Sequence, residues 1–300
     1  MTKKLLITDT FFIFDEHVKR LEAAGYEVFR LNKSAATESE LIEALKGVSV
    51  HIIGGMEQVT DAVIQSADKL EAIIFTGVDY DKFIPGANLA REKSIKLLNA
   101  PGANAVAVAE FAVGVAISMQ RDLFGVGRTG NKKFLTTRSI QGATVGIIGA
   151  GHIGQVIIEG VKSFQPKEII YFNRNSKDIA AKQTDLDELV RVSDIIFITL
   201  PMSAGLILDE ALISKLKTSC LIVSVSPMNL INFDALLPRL QSGEVRCAID
   251  WPAPSAAFDD LPLDVWFNVQ SHSAYNTAEA IQSVSDAVTD RAIDLIRTSL

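Results

Sequence analysis

The sequence predicts an α/β protein built from two parallel-sheet lobes, and three observations lead there. Short apolar runs alternate with stretches of helical spacing along all 300 residues. That alternation belongs to parallel sheets whose strands are joined by crossover helices. The series is interrupted near Asn99-Ala-Pro-Gly102, where a turn enters a long Ala/Val-rich stretch, and it resumes at Thr144. Within the second series, Thr144–Gly154 couples a strand-like run to closely spaced glycines and then to a helical pattern.

In the first series, strands are expected at Leu5–Thr8, Glu27–Leu31, Val50–Ile53 and Ala72–Phe75, with helices at Asp15–Ala24, Glu38–Leu45 and Asp61–Ser66. Gly54-Gly55 and Thr76-Gly77 end two of those strands. The Ala/Val-rich stretch reads as a helix over Ala105–Met119. The second series has strands at Val145–Ile148, Glu168–Phe172, Asp194–Leu200, Leu221–Val225 and Cys247–Ile249, and a helix at Ile153–Phe164. A last helix spans Ala278–Arg297. No repeat, low-complexity tract or flexible linker interrupts this order. The reading is two Rossmann-like or flavodoxin-like lobes with a cleft between them. Ligands of such sheets lie beyond the carboxyl ends of the strands, so the turns after strands mark the cleft. They are Gly54-Gly55-Met56, Thr76-Gly77-Val78, the glycine loop, Leu200-Pro201, Ser226-Pro227, Asp250-Trp251 and Ser271-His272. Gly54, Gly55 and Gly77 would offer backbone donors to an anionic substrate group; tight turns alone would also explain them.

Gly149-x-Gly151-x-x-Gly154 carries the most chemistry. In a strand–turn–helix–strand unit the first glycine permits the tight turn, the second lets backbone approach a pyrophosphate, and the third lets helix and sheet pack closely. The helix start, at His152 and Ile153, would hold the phosphates through free N–H groups. The alternative is a βα unit whose glycines serve packing only. At the end of the second strand, an NAD site places a carboxylate on the ribose hydroxyls and an NADP site an arginine near the 2′-phosphate. This chain has Asn173-Arg174 there, which favours NADP(H) over NAD(H); the other reading of Arg174 is a solvated loop cation.

An apolar fraction of 48% and a mean hydropathy of +0.24 point to a well-buried core. No run approaches the roughly 18 apolar residues of a membrane span, and the start of the chain has no signal-peptide plan. A net charge of −7 argues against nucleic-acid and anionic-membrane surfaces. Cys220 and Cys247 fall in expected buried strands and read as core residues of a reduced, cytoplasmic protein. His17 is expected on a helix surface, His51 in the core of a strand, and His152 near phosphate or facing solvent. No cluster has metal-ligand spacing, so no metal is expected.

Taken together, the motifs resemble the D-isomer-specific 2-hydroxyacid dehydrogenase family over nearly the whole chain. Thr76-Gly-Val-Asp79 resembles its substrate loop, and Asn99-Ala-Pro-Gly102 with Val108-Ala-Glu110 its crossover between domains. Gly142–Gly149 resembles the lead-in to its dinucleotide loop, and Leu200-Pro201 the loop over the cofactor. Ala248-Ile-Asp250 resembles the segment whose aspartate contacts the nicotinamide carboxamide. Asn268–Ala274 resembles the segment of the catalytic histidine, here His272, with Ser271 where the family usually has Pro. The resemblance implies a discontinuous substrate domain of residues 1–100 plus 275–300, and a dinucleotide-binding domain of residues 101–274. It also implies a homodimer involving the Ala/Val-rich helix, which would otherwise simply be buried in the monomer. The chemistry it implies is hydride transfer with a small 2-oxo or 2-hydroxy acid, His272 exchanging the hydroxyl proton.

Two family groups are missing. Where the family's arginine would hold the substrate carboxylate stands Pro227, within Ser226-Pro-Met-Asn-Leu-Ile-Asn232. The acidic partner of the histidine should follow Asp250 closely, yet Trp251–Ala257 holds no carboxylate. Ser226, Asn229, Trp251 and Glu57 are the candidates to substitute, none of them a full match. Two functions stay open on these residues. One is an NAD(P)-dependent reductase of a 2-oxo acid or related carbonyl compound; the other is a catalytically silent dinucleotide-binding sensor or scaffold. A redox-neutral use of the cofactor is a third.

Overall fold

A computed structural model describes residues 2–8, 12–33, 35–54, 56–77, 80, 82–129, 136–269 and 273–297. The chain divides into two compact units, Met1–Asn104 with Ala278–Leu300, and Ala105–Thr277.

In the first unit the elements alternate as β1 (Lys3–Ile7), α1 (Asp15–Ala23), β2 (Tyr26–Arg30), α2 (Glu38–Ala44), β3 (Val50–Ile53), α3 (Asp61–Ser66), β4 (Ala72–Phe75), α4 (Ala87–Glu92) and β5 (Lys96–Leu98). The strands form one parallel sheet in the order β2-β1-β3-β4-β5, so the order reverses between β1 and β3. Residues of one strand alternate between its two faces. Leu6, Ile53, Ile73 and Phe75 pack with Leu41, Val63, Ile64 and Ala90 of α2, α3 and α4. Leu5, Ile7, Ile52 and Ile74 pack on the other face, against Leu21 of α1 and against Val284, Val288 and Ala292. The last three lie on a C-terminal helix, Ala278–Arg297, which thereby completes this unit. It is tied to α1 by Arg20, which bonds Asp286 and Asp290 at 2.5 Å each. The expected surface position of His17 is corrected here. The ring is fully buried, its Nδ1 accepting the Phe14 N–H at 3.2 Å and its Nε2 facing Asp286 at 3.4 Å. The C-terminal helix, distant in sequence, buries what the local pattern leaves outside.

The second unit begins with α5 (Ala105–Gln120) and α6 (Leu123–Thr129), followed by β6 (Thr144–Ile148), α7 (His152–Lys162), β7 (Glu168–Phe172) and β8 (Lys182–Gln183). Then come α8 (Leu186–Val192), β9 (Ile195–Ile198), α9 (Glu210–Lys215), β10 (Leu221–Ser224), α10 (Phe233–Gln241), β11 (Arg246–Ile249) and β12 (Trp266–Asn268). The C-terminal helix of the first unit is accordingly α11. All seven strands are parallel, in the order β12-β11-β10-β9-β6-β7-β8. Counted from β6, six of these follow the 3-2-1-4-5-6 order of dinucleotide-binding sheets. One face carries α5 and α7 over Val145, Ile147, Phe197 and Val223. The other carries α8, α9 and α10 over Ile148, Ile196, Ile198 and Ile222. Among the described residues, no helix is long and apolar enough to cross a membrane.

Candidate active site

The strand order of the second sheet reverses between β6 and β9, and the carboxyl edge at such a reversal is where ligands bind. The loop Gly149–Gly151 sits there. Gly149 has φ +103°, and a Cβ on it would lie 2.9 Å from the Thr199 carbonyl oxygen. Gly154 has less room, since its Cβ would lie 2.1 Å from the Gly149 oxygen. These two glycines fix the turn and the close approach of α7. Gly151 differs: nothing lies within 4 Å of the place its Cβ would take. It is the N-cap of α7, and no side chain caps that helix. The first turn of an 11-residue helix thus keeps its N–H groups and dipole directed at open space, which suits a pyrophosphate. The dinucleotide fits these residues.

Neighbouring strand ends brace the loop. Thr199 Oγ1 donates to the Gly149 oxygen at 2.6 Å, and the Gly149 N–H reaches the Phe172 oxygen at 2.9 Å. Asn173 lies just past β7, where its Oδ1 accepts the Ala150 N–H at 3.3 Å. Arg174, beside it, is exposed and has no ion pair among the described residues. His152 is exposed at the start of α7, with Ile153 half-buried behind it. After β9, the Leu200 N–H donates to Ser226 Oγ, past the end of β10, at 2.7 Å. Leu200, Pro201 and Ser226 therefore line adjacent strand ends. Pro227 follows, and Asn229 donates to the Met202 oxygen at 3.1 Å.

Asp250, fully buried at the end of β11, receives the Ser273 N–H on Oδ1 at 2.9 Å and the Ala274 N–H on Oδ2 at 3.0 Å. His272, Gly55, Val78 and Asp79 lie outside the described residues. In the first unit Gly54 follows β3 and Gly77 follows β4; the Gly77 oxygen accepts the Ala100 N–H at 3.2 Å. A Cβ on Gly77 would lie 2.4 Å from the Phe75 ring, so a larger residue there has to displace that ring.

One cluster has no counterpart in the sequence motifs. Thr8, next after β1, donates to Glu57 Oε1 at 2.5 Å and lies 2.9 Å from His51 Nε2. All three side chains are buried. Burial pushes the His51 pKa down to about 3 and keeps the ring neutral. Burial likewise raises the Cys220 thiol to about 12 and the Cys247 thiol further, which makes both inert core residues.

The family model of the D-isomer specific 2-hydroxyacid dehydrogenase, NAD binding domain, matches residues 115–268. The chain belongs to this family. It is 31% identical over 263 residues to the hydroxypyruvate reductase of Thermotoga maritima, covering 82% of this chain and 84% of that one. It is 28% identical over 313 residues to the D-3-phosphoglycerate dehydrogenase of Methanocaldococcus jannaschii, covering 99% of this chain. The chain spans 58% of the length of that relative. Its fold matches that of NAD+-bound 3-phosphoglycerate dehydrogenase from Entamoeba histolytica with a TM-score of 0.82 at 20% identity, covering 100% of this chain and 97% of that one. The residues matched by the family's NAD binding domain model lie within the second unit and include Gly149–Gly154.

Proposed function

We propose that this chain is an NAD(P)-dependent oxidoreductase that reduces a 2-oxo acid or related carbonyl compound to the 2-hydroxy compound. The observation that carries this reading is the α7 cradle, with open space at Gly151 and an uncapped helix start, in a chain of this dehydrogenase family. Gly149, Gly151, His152, Ile153 and Gly154 hold the pyrophosphate; Asn173 and Arg174 face the adenosine ribose; Leu200, Pro201, Ser226 and Asp250 flank the rest of the dinucleotide. NADP(H) is preferred, because Arg174 offers a cation where an NAD site offers a carboxylate.

When bound, the reduced cofactor would supply the hydride for the substrate's carbonyl carbon. The protein handles the charge that then develops on oxygen. His272 donates a proton to that oxygen and recovers one from solvent, which keeps alkoxide from accumulating. Gly54, Gly55 and Gly77 bind the substrate's anionic group through backbone N–H groups. The first unit is the substrate domain in this account. The protein acts in the cytoplasm as a homodimer that uses α5, whose Val106 is 60% exposed.

A second reading is favoured by Pro227 and the carboxylate-free stretch Trp251–Ala257, which we match, on the resemblance, to the family's arginine and acid. Proline offers neither charge nor N–H to a carboxylate. A catalytically silent dinucleotide sensor would tolerate both losses. Oxidation of NADPH against a panel of 2-oxo acids and bulkier 2-oxo compounds separates the readings. Turnover of a panel member, abolished in His272→Ala with cofactor affinity retained, supports the reductase. Tight cofactor binding with no turnover across the panel supports the sensor.

A further inference from the structure

The segment Asn173–Lys177 after β7 is held at both ends, and at Lys177 the group that holds it is a buried phenol. Tyr171 is 1% exposed, yet its hydroxyl accepts the Lys177 N–H at 3.0 Å and donates to the Lys177 oxygen at 3.2 Å. Both hydrogen-bonding roles of the hydroxyl are spent on the peptide groups of a single loop residue. Within the loop, Asn173 Nδ2 donates to the Asn175 oxygen at 2.8 Å, and Gln183 donates to the Asn173 oxygen at 3.0 Å. Asn173 Oδ1 joins the same loop to the glycine cradle through Ala150 N–H at 3.3 Å.

This backbone order contrasts with the side chains it presents. Arg174, Asn175, Ser176 and Lys177 are all exposed. Neither Arg174 nor Lys177 has an ion-pair partner among the described residues. The nearest carboxylate in sequence is Asp178, also exposed. Two cations and a hydroxyl on a fixed loop, joined directly to the phosphate cradle, suit a phosphate monoester with little ordering cost on binding.

We propose that the Tyr171 hydroxyl is a positioning group for cofactor choice: it fixes the loop so that Arg174 and Lys177 together receive the 2′-phosphate of NADP(H). The proposal rests on the NADP(H) preference given above and adds to it the second cation and the group that places it. Removing the hydroxyl leaves the ring packed in the core, and releases the loop only at its far end. The loss therefore falls on the 2′-phosphate and much less on the dinucleotide the two cofactors share.

Calorimetric titration of the wild type and Tyr171→Phe with NADPH, NADH, adenosine 2′,5′-bisphosphate and AMP tests it. In Tyr171→Phe the NADPH:NADH affinity ratio is expected to fall about tenfold, a loss the size of one well-placed phosphate contact. The bisphosphate:AMP ratio should fall with it. Lys177→Ala, an exposed substitution that leaves the tyrosine's backbone partners in place, should lower both ratios similarly. Merely structural damage would weaken all four probes alike and leave the ratios standing. Unchanged ratios in either variant overturn the proposal while leaving NADP(H) preference intact. A wild type that shows no preference for NADPH overturns that preference itself, and this proposal with it.

Discussion

Asp250 holds the backbone of Ala274: its Oδ1 lies 3.1 Å and its Oδ2 3.0 Å from the same N–H, and Oδ1 also takes the Ser273 N–H at 2.9 Å. A fully buried carboxylate thus fixes the two residues that follow His272 in the chain. Hydrogen bonds to an ionised acceptor are stronger than neutral ones, and removal of the acceptor leaves buried donors unsatisfied. Asp250→Ala should lower the unfolding free energy of its unit by about 2–4 kcal/mol. Urea unfolding measures the loss, and hydrogen exchange at Ser273 and Ala274 localises it. Protection there equal to wild type would contradict the assignment.

The glycine loop yields a pair of predictions with different readouts. A Cβ at position 154 would stand 2.1 Å from a backbone oxygen, while one at 151 would meet nothing within 4 Å. Gly154→Ala should therefore cost about 2–4 kcal/mol of stability through forced backbone movement. Gly151→Ala should change stability by less than about 0.5 kcal/mol, yet weaken dinucleotide binding because the methyl enters the phosphate's space. Melting and cofactor titration of both variants distinguish a folding role from a binding role.

His51 makes stability depend on acid. In the unfolded chain its pKa is the ordinary 6.5; in the fold, burial holds it at about 3. Between those values the unfolded state binds a proton that the folded state does not. Its contribution is complete above the unfolded value and is lost as pH falls through that window, at up to about 1.4 kcal/mol per pH unit. His51→Gln keeps a donor for Thr8 and cannot titrate. Unfolding measured from pH 6 to 4 should show this variant losing less stability per unit than wild type; parallel slopes would refute the neutral buried ring.

Pro227 offers a gain-of-function test. Pro227→Arg introduces a guanidinium at the position we propose as the counterpart of the family's substrate-binding arginine. In the reductase account, it should lower the KM for a simple 2-oxo acid about tenfold, the worth of a charge-assisted contact. Steady-state kinetics on such an acid gives the answer, and an unchanged KM would mean that carboxylate binds elsewhere.

Much of this architecture is written in local sequence. Glu168–Phe172 and Ala72–Phe75 read as strands because each is a short apolar run between turns, and the tight turn at Gly149 and close approach at Gly154 follow from glycine spacing within a strand–turn–helix run. What stayed hidden was set by partners far along the chain. His17 looks like a surface residue of α1 until α11 covers it. Thr8 and Glu57 stand 49 positions apart, and no motif joins them; the segments that follow β1 and β3 do. The short helix α4 and strand β5 carried too few apolar positions to show a period. The one available hint of the buried cluster was polar Thr8 and His51 inside otherwise apolar strands.

We propose that the α7 cradle binds a nicotinamide dinucleotide and that the loop after β7 prefers its 2′-phosphorylated form. Calorimetric titration of the purified protein with NADPH and with NADH tests it most directly. Micromolar NADPH binding, tighter than NADH and weakened by Arg174→Ala, is the predicted result. Failure of both nucleotides to bind would contradict the account at its base.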